Sequence, residues 1–309
     1  MKSVVVVGSI NFDIMVPVER LPRAGETVKA FTVEMTCGGR GANQSVQCSL
    51  LGLPTTMVGA IGTDFQGDLA LDSLLSKGVD CTYLARIDGH PTGCAPIFVD
   101  THGENMLAYA SGANVKITKK MIDAAADTIK RASIYLTQTE INLEAMIYGL
   151  QIAREGQAVT IMNPAPAIPL ADEVFTLVDI ITPNEVECET YTGIHCNDLP
   201  FQEWLQAVSE WFINKEVKGV CMTLGSKGSY FNNGKEGIFV KSFPIKAVDT
   251  TGAGDAFHGG FAYGLINDMS IEKCLEYGNA CGALMSLSLG VQNSAATLEE
   301  VNKFISNAN

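Results

Sequence analysis

Apolar residues in this chain fall into short, nearly unbroken runs separated by amphipathic stretches. The clearest runs are 3–7 (SVVVV), 55–61 (TTMVGAI), 132–138 (ASIYLTQ), 158–163 (AVTIMN), 177–184 (LVDIITPN) and 218–225 (KGVCMTLG). A strand covered on both faces has no solvent side to mark with polar residues, so continuous runs predict buried strands of a mostly parallel sheet. Between them, 42–51, 66–77, 119–131, 143–154 and 201–214 have helical period, and two or three more helices are predicted near 254–267, 271–288 and 297–306. Strands alternating with helices on this scale predict a sheet with helices on both faces.

Two regions break the rhythm. IMVPV (14–18) and TVKAFTVEM (27–35) flank the turn LPRAGE, and GCAPIFVD (93–100) and ENMLAYA (104–110) flank Thr101-His102-Gly103. These four short segments predict a small separate sheet. With no repeats, low-complexity tracts or linkers in the chain, the expectation is a single domain over 1–309 whose small sheet comes from about 12–36 and 93–110.

Composition narrows the function more than the fold. The 309 residues carry 21 basic and 34 acidic side chains, a net charge of −13. Such a surface repels phosphate backbones, so nucleic acid is not an expected partner. Val4 to Val7 is too short for a signal segment or membrane span, so no membrane partner is expected either. Nine scattered cysteines without a C-x-x-C pair suit free thiols in a reducing cytoplasm. Cys37, beside a glycine pair, reads as a reactive thiol or as a small buried hydrophobe, the second being the commoner use. The chain has no P-loop, no G-x-G-x-x-G after its first strand, no H-E-x-x-H and no G-x-S-x-G.

What remains is a set of turns that bear small or polar residues. In VDTTGAGDAFHGG (248–260), Thr250 to Gly254 form a tight turn of small residues that opens a helix. Backbone N–H groups at a helix start converge and carry the positive end of its dipole, so they can hold a phosphoryl group. Asp255 beside such a cradle reads as a base for an attacking alcohol, or as an acid that merely stabilises the helix end. CGGRGANQ (37–44) sets Gly38, Gly39 and Gly41 before a helix bearing Asn43, an amide suited to sugar hydroxyls. Asn11 and Asp13, in GSINFDIM, fall on one side of an extended chain. Asn184 and Glu187, in TPNEVECE, read most simply as an N-cap and a first-turn acid. TLGSKGS (223–229) is a glycine turn that lies along a nucleotide or closes a hairpin.

Together, GGRGAN, MNPAPA (162–167), NEVE and DTTGAGDAFHGGF resemble the ribokinase family, the PfkB-type carbohydrate kinases, over nearly the whole chain. The resemblance implies a three-layer α/β/α ribokinase-like fold with a mostly parallel central sheet and a small four-stranded β lid. It implies an ATP-dependent sugar kinase acting on the C5 hydroxyl of a pentose, D-ribose first. Deoxyribose, nucleoside or other small-sugar kinases are the alternatives, and a non-catalytic sugar sensor is the remote one. Asp255 would be the general base, with the amides of Gly252, Ala253 and Gly254 as anion hole. Asn11, Asp13, Gly39, Arg40, Asn43 and Glu140 would meet the sugar. Asn184, Thr223, Gly225, Gly228, Gly254 and Asn279 would line the nucleotide, and Glu187 would act on Mg²⁺ through water. Asp249, Thr251, Met285, Ser288, Gly290 and Ser294 would surround an activating K⁺. The lid sheet would pair two subunits into a homodimer. The resemblance departs at Arg40, where these kinases usually carry lysine; the charge is kept and the geometry changes.

Overall fold

The computed structural model describes residues 2–102 and 104–308. Among these residues the strands form two sheets. The larger has nine strands, in the spatial order β13-β12-β11-β10-β9-β8-β1-β4-β5. Its parallel body is β1 (Val4–Val7), β4 (Thr55–Gly62), β5 (Asp80–Ile87), β8 (Ile134–Gln138), β9 (Val159–Asn163), β10 (Ile180–Ile181) and β11 (Gly219–Thr223). An antiparallel edge follows, β12 (Gly228–Asn232) and β13 (Gly237–Lys241). TLGSKGS is therefore a hairpin turn, with Thr223 paired to Ser229.

The four valines of β1 show why the pattern is continuous. Val5 and Val7 face one core with helices α3 (Lys119–Arg131), α4 (Leu143–Glu155) and α7 (Phe201–Ile213). Val4 and Val6 face the other, with α1 (Arg40–Leu50), α2 (Phe65–Ser76), α8 (Ala253–Ile266) and α9 (Ile271–Met285). All four are fully buried, and each contributes roughly 1.5–3 kcal/mol of apolar burial. The short α5 (Asp172–Phe175) and α6 (Glu185–Thr192) link strands, and α10 (Leu298–Ala308) packs Val301 and Ile305 onto the end of the α8–α9 layer. The chain leaves β1 toward β4 and β5 on one side and later fills the other side from β8 outward. The crevice at the carboxyl ends of β1 and β8 is thus the point where strand order reverses, the usual place for a ligand in such sheets.

The second sheet runs β3-β2-β6-β7, from β2 (Asn11–Pro17), β3 (Glu34–Gly38), β6 (Gly93–Val99) and β7 (Asn105–Leu107). Its placement corrects the sequence reading in two ways. β2 begins at Asn11 rather than at Ile14. The strand expected at 27–35 pairs only through a Val18–Ala30 bridge, and the ladder begins at Glu34. The polar residues Asn11, Asp13 and Thr36 lie inside the ladder, where a search for apolar runs passes over them. Gly103, in the expected β6–β7 turn, lies outside the described residues.

Candidate active site

The glycines of the two signature turns are there to make room. Gly39, the residue before α1, has φ +89°, and a Cβ on it would lie 2.6 Å from Asn11 N. Gly38 leaves the space that the Asp13 carboxylate fills, its missing Cβ falling 2.1 Å from Asp13 Oδ2. Gly93 does the same for Asn11 Oδ1. Two polar side chains of β2 are therefore nearly buried against bare backbone: Asn11 is 5% and Asp13 9% exposed.

Gly252, at φ +76°, precedes α8, and a Cβ there would strike Val291. The turn uses Ala253 N–H in a long 3.2 Å bond to the Thr250 carbonyl. Among the described residues, the N–H groups of Gly252, Gly254 and Asp255 have no protein acceptor, and the position of a Gly254 Cβ opens onto free space. Unpaired donors at a helix start are what an anion cradle requires. His258 backs the cradle. One ring nitrogen bonds the Gly254 carbonyl, the other the Thr182 hydroxyl. Burial pushes its pKa down to about 4, so it is a neutral tie between α8 and the end of β10 near pH 7.

Asp255 is the hub. Asn43 Nδ2 donates to its Oδ2 at 2.9 Å and Gln44 Nε2 to its Oδ1 at 3.1 Å. Burial pushes its proton affinity up, while Arg40 and the two amides pull it down. Arg40 Nε donates to Glu140 Oε1 at 2.9 Å, and Ser9 Oγ donates to Glu140 Oε2 at 2.6 Å. Burial, then Glu140 and Asp255, raise Asp13 to about 7. The structure thus brings Asn11, Asp13, Gly39, Arg40, Asn43, Glu140 and Asp255 into one crevice at the switch point.

The residues predicted for the nucleotide and the cations lie farther along the strand ends. Asn184 bridges Thr223, and Gly228 (φ +120°) and the Asn279 amide both abut the β13 carbonyls at Val240 and Lys241. Gly225, at φ +54°, is open to solvent space. Asn184 caps α6 with Glu187 in a reciprocal box, which realises the simple reading of that pair. Glu187 is nonetheless only 6% exposed, and burial, reinforced by Asp255, lifts it to about 7 against the pull of its Asn184 bond and Arg40. That is unusual for a mere cap. On the far side of the cradle, the amides of Val248 and Asp249 donate to the Ser286 carbonyl, docking Asp249 and Thr251 on the end of α9. Ser288 and Ser294 share a 2.8 Å hydroxyl bond in the adjoining loop, and Ser294 also donates to the Gly290 carbonyl. Met285 is buried and has only its carbonyl to offer.

Several residues escaped the sequence reading. Asn114 holds Asn11 Oδ1 at 2.8 Å, and Gln44 and Gln138 extend inward from Asp255. Only Gln44 carried a local signal, as the neighbour of Asn43 in a glycine signature. Cys37 behaves as the commoner reading has it: half-buried, its thiol pushed up by burial.

Helix-start N–H groups without a protein acceptor, a buried carboxylate and a cluster of polar side chains are features that a kinase acting on a polyol would need. The model for pfkB family carbohydrate kinases matches residues 1–298. The chain is 34% identical over 307 residues to a ribokinase of Haemophilus influenzae, covering 99% of both. It superposes with a TM-score of 0.92 on the structure of Arabidopsis thaliana ribokinase complexed with ribose and ATP, at 33% identity and 98% coverage of each chain. The Thermotoga maritima ribokinase structure gives 0.88 at 35% identity, covering 99% of this chain and all of that one. The chain belongs to the pfkB family of carbohydrate kinases, and it is an ATP-dependent sugar kinase.

Proposed function

We propose that this kinase transfers the γ-phosphoryl group of ATP to the C5 hydroxyl of D-ribose, with Asp255 as general base. The observation that carries the reading is Asp255 itself, 6% exposed in the first turn of α8, between the Asn43 and Gln44 amides and unpaired helix-end N–H groups. In this reading Asn11, Asp13, Gly39, Arg40, Asn43 and Glu140 hold the sugar. Asp255 takes the C5 proton as the oxygen attacks phosphorus in line, and the unpaired amides of Gly252 and Gly254 receive the charge on the transferred group, joined by Ala253 when its long bond to the Thr250 carbonyl gives way. Asn184, Thr223, Gly225, Gly228 and Asn279 hold the nucleotide. Asn11 and Asp13 lie on the small sheet, so closing that sheet as a lid would order the sugar and exclude water in one motion.

Both implied cations fit the residues present. Glu187 is a buried carboxylate that accepts from Asn184 N and Nδ2 and is close enough to Asp255 to feel its charge; a Mg²⁺ that keeps most of its water needs few carboxylates, and a cation there would offset the burial that raises the pKa to about 7. When bound, Mg²⁺ supplies charge neutralisation on the phosphates, and Glu187 would hold it through water. Asp249, Thr251, Ser288 and Ser294 and the carbonyls of Met285 and Gly290 are all-oxygen donors, as a K⁺ requires. That ion would fix the 248–252 turn that shapes the cradle.

A coupled ADP-release assay across a pentose and nucleoside panel tests the reading. D-Ribose is expected to exceed 2-deoxyribose by about 10²-fold in kcat/KM, because a site built to bond a hydroxyl discriminates strongly against its absence. K⁺ replaced by Na⁺ should lower the ribose rate. A nucleoside turned over in preference to ribose overturns the substrate, and equal rates in both salts remove the K⁺ site.

The lid also suits a homodimer. Phe31, Val33 and Met35 are 65%, 51% and 62% exposed beside or within edge strand β3, and an open edge with apolar side chains seeks a partner. Sedimentation equilibrium should give a dimer that Met35→Lys weakens; a wild-type monomer at micromolar concentration removes it. Among the described residues no helix is long and apolar enough to cross a membrane. The nine free cysteines suit a cytoplasmic enzyme.

A further inference from the structure

The Asp255 carboxylate is the end of a buried chain of amides. Gln44 Nε2 donates to Asp255 Oδ1, and Gln138 Nε2, at the carboxyl end of β8, donates to Gln44 Oε1 at 2.7 Å. Both glutamines are fully buried. Among the described residues, Gln138 Oε1 has no hydrogen-bond partner.

The direction of this chain follows from chemistry. An ionised carboxylate only accepts, so Gln44 must turn its NH₂ toward Asp255 and its carbonyl toward Gln138. Gln138 must then present its own NH₂, which leaves its oxygen turned into the protein without a donor. A buried acceptor left bare is costly and calls for an explanation. Here it is the consequence of aligning two amides in series behind one negative charge. Asn43 is the other donor on Asp255, but its amide is also among the groups that would meet the sugar. Gln44 therefore stays on the carboxylate when the acceptor arrives.

We infer that Gln44 and Gln138 are positioning residues that keep Asp255 ionised and oriented until it takes the acceptor proton, Gln138 acting only through Gln44. The inference deepens the proposed reaction and rests on Asp255 as base. In that step the C5 O–H bond breaks and its proton passes to Asp255. The new O–P bond forms as the bond from the γ-phosphorus to ADP breaks, and the proton leaves to water when the site opens. Without the chain, burial would leave Asp255 protonated at rest over a wider pH range.

The test is the acid limb of the pH profile of kcat/KM for D-ribose, in Gln44→Met, Gln138→Met and the double variant. The charged groups around Asp255, Arg40 on α1, Asp13 on β2, Glu187 on α6 and Glu140 beyond β8, are unchanged in all three, as is the neutral His258 on α8. Removing a donor from the charged form raises its proton affinity, so the limb should move to higher pH. A shift of about one unit is expected for Gln44→Met, equal to about tenfold lower kcat/KM below the limb. Gln138→Met, which never touches Asp255, should give a smaller shift in the same direction. The double variant should move no further than Gln44→Met, as for two residues acting in series.

A merely structural role would lower stability and leave the limb in place. Circular dichroism and D-ribose binding confirm that each variant is folded, and if Gln138→Met does not fold, Gln138→Leu takes its place. A limb unmoved in the folded position-138 variant overturns the inference, and so do shifts that add. Asp255→Asn is assayed alongside: if it turns over normally, the base itself is wrong, whereas an inactive Asp255→Asn with an unmoved limb removes only the amide chain.

Discussion

Asp255→Asn is expected to lower kcat by about 10³-fold while leaving D-ribose binding close to wild type. Loss of a general base costs 10²–10⁴-fold, and the substitution keeps the shape of the side chain. It does not keep the hydrogen bonds. Asp255 accepts from Asn43 Nδ2 and Gln44 Nε2 at once, and an amide has one oxygen to offer the two donors. One of them must turn or lose its partner, a cost in stability of about 1–3 kcal/mol. The hydrogen bonds of the crevice otherwise stay intact, because Glu140 is held by Arg40 and Ser9 and Asn11 by Asn114, none of which hydrogen-bonds residue 255. Single-turnover kinetics with saturating ATP, together with calorimetric titration of D-ribose, separate the two effects. Turnover near wild type with sugar binding retained would remove Asp255 from the chemistry.

The parts legible in the sequence were those whose physics is local. Four consecutive valines cannot hide a polar face, and a glycine turn before a helix announces the helix start. The small sheet was visible as an interruption but misplaced by several residues, because its functional strand buries Asn11 and Asp13 over Gly93 and Gly38. Apolar pattern cannot find a strand whose inward residues are polar. Edge strands were missed for a related reason: β5 mixes exposed and half-buried positions, and β13 is half-buried at its centre and exposed at both ends. Of the candidate site, the residues within motifs could be named from the sequence, but the side chains that support them could not. Gln138 reaches Gln44 across 94 positions and Asn114 reaches Asn11 across 103. Nothing near either residue in sequence hints at such a partner: the reversal of strand order at β1 and β8 brings Gln138 to Gln44, and the helical turn that follows β7 brings Asn114 to Asn11.

Arg40→Met should lower kcat/KM at pH 7 by about 10² to 10³-fold and move the acid limb upward. Arg40→Lys should keep activity within about tenfold of wild type. The guanidinium acts on Asp255, Glu140 and Glu187 together, which keeps it protonated despite burial. For Asp255 the sign is direct: burial raises its proton affinity and Arg40 lowers it, so removing the cation leaves more of the base protonated at any given pH. The same loss raises Glu187, which Arg40 holds down and Asp255 pushes up. Lysine keeps the charge but gives up the fixed Nε–H bond to Glu140 Oε1. Its ammonium has three donors on a flexible stem, so Glu140 is expected to hold the sugar less firmly, seen as a raised KM with little change in kcat. The Met variant should instead lose kcat and recover part of it as pH rises past neutrality. The two signatures separate in a pH series from 6 to 9. If Arg40→Met loses activity equally at every pH, the guanidinium serves binding alone, and the base is kept ionised by its amide donors without it.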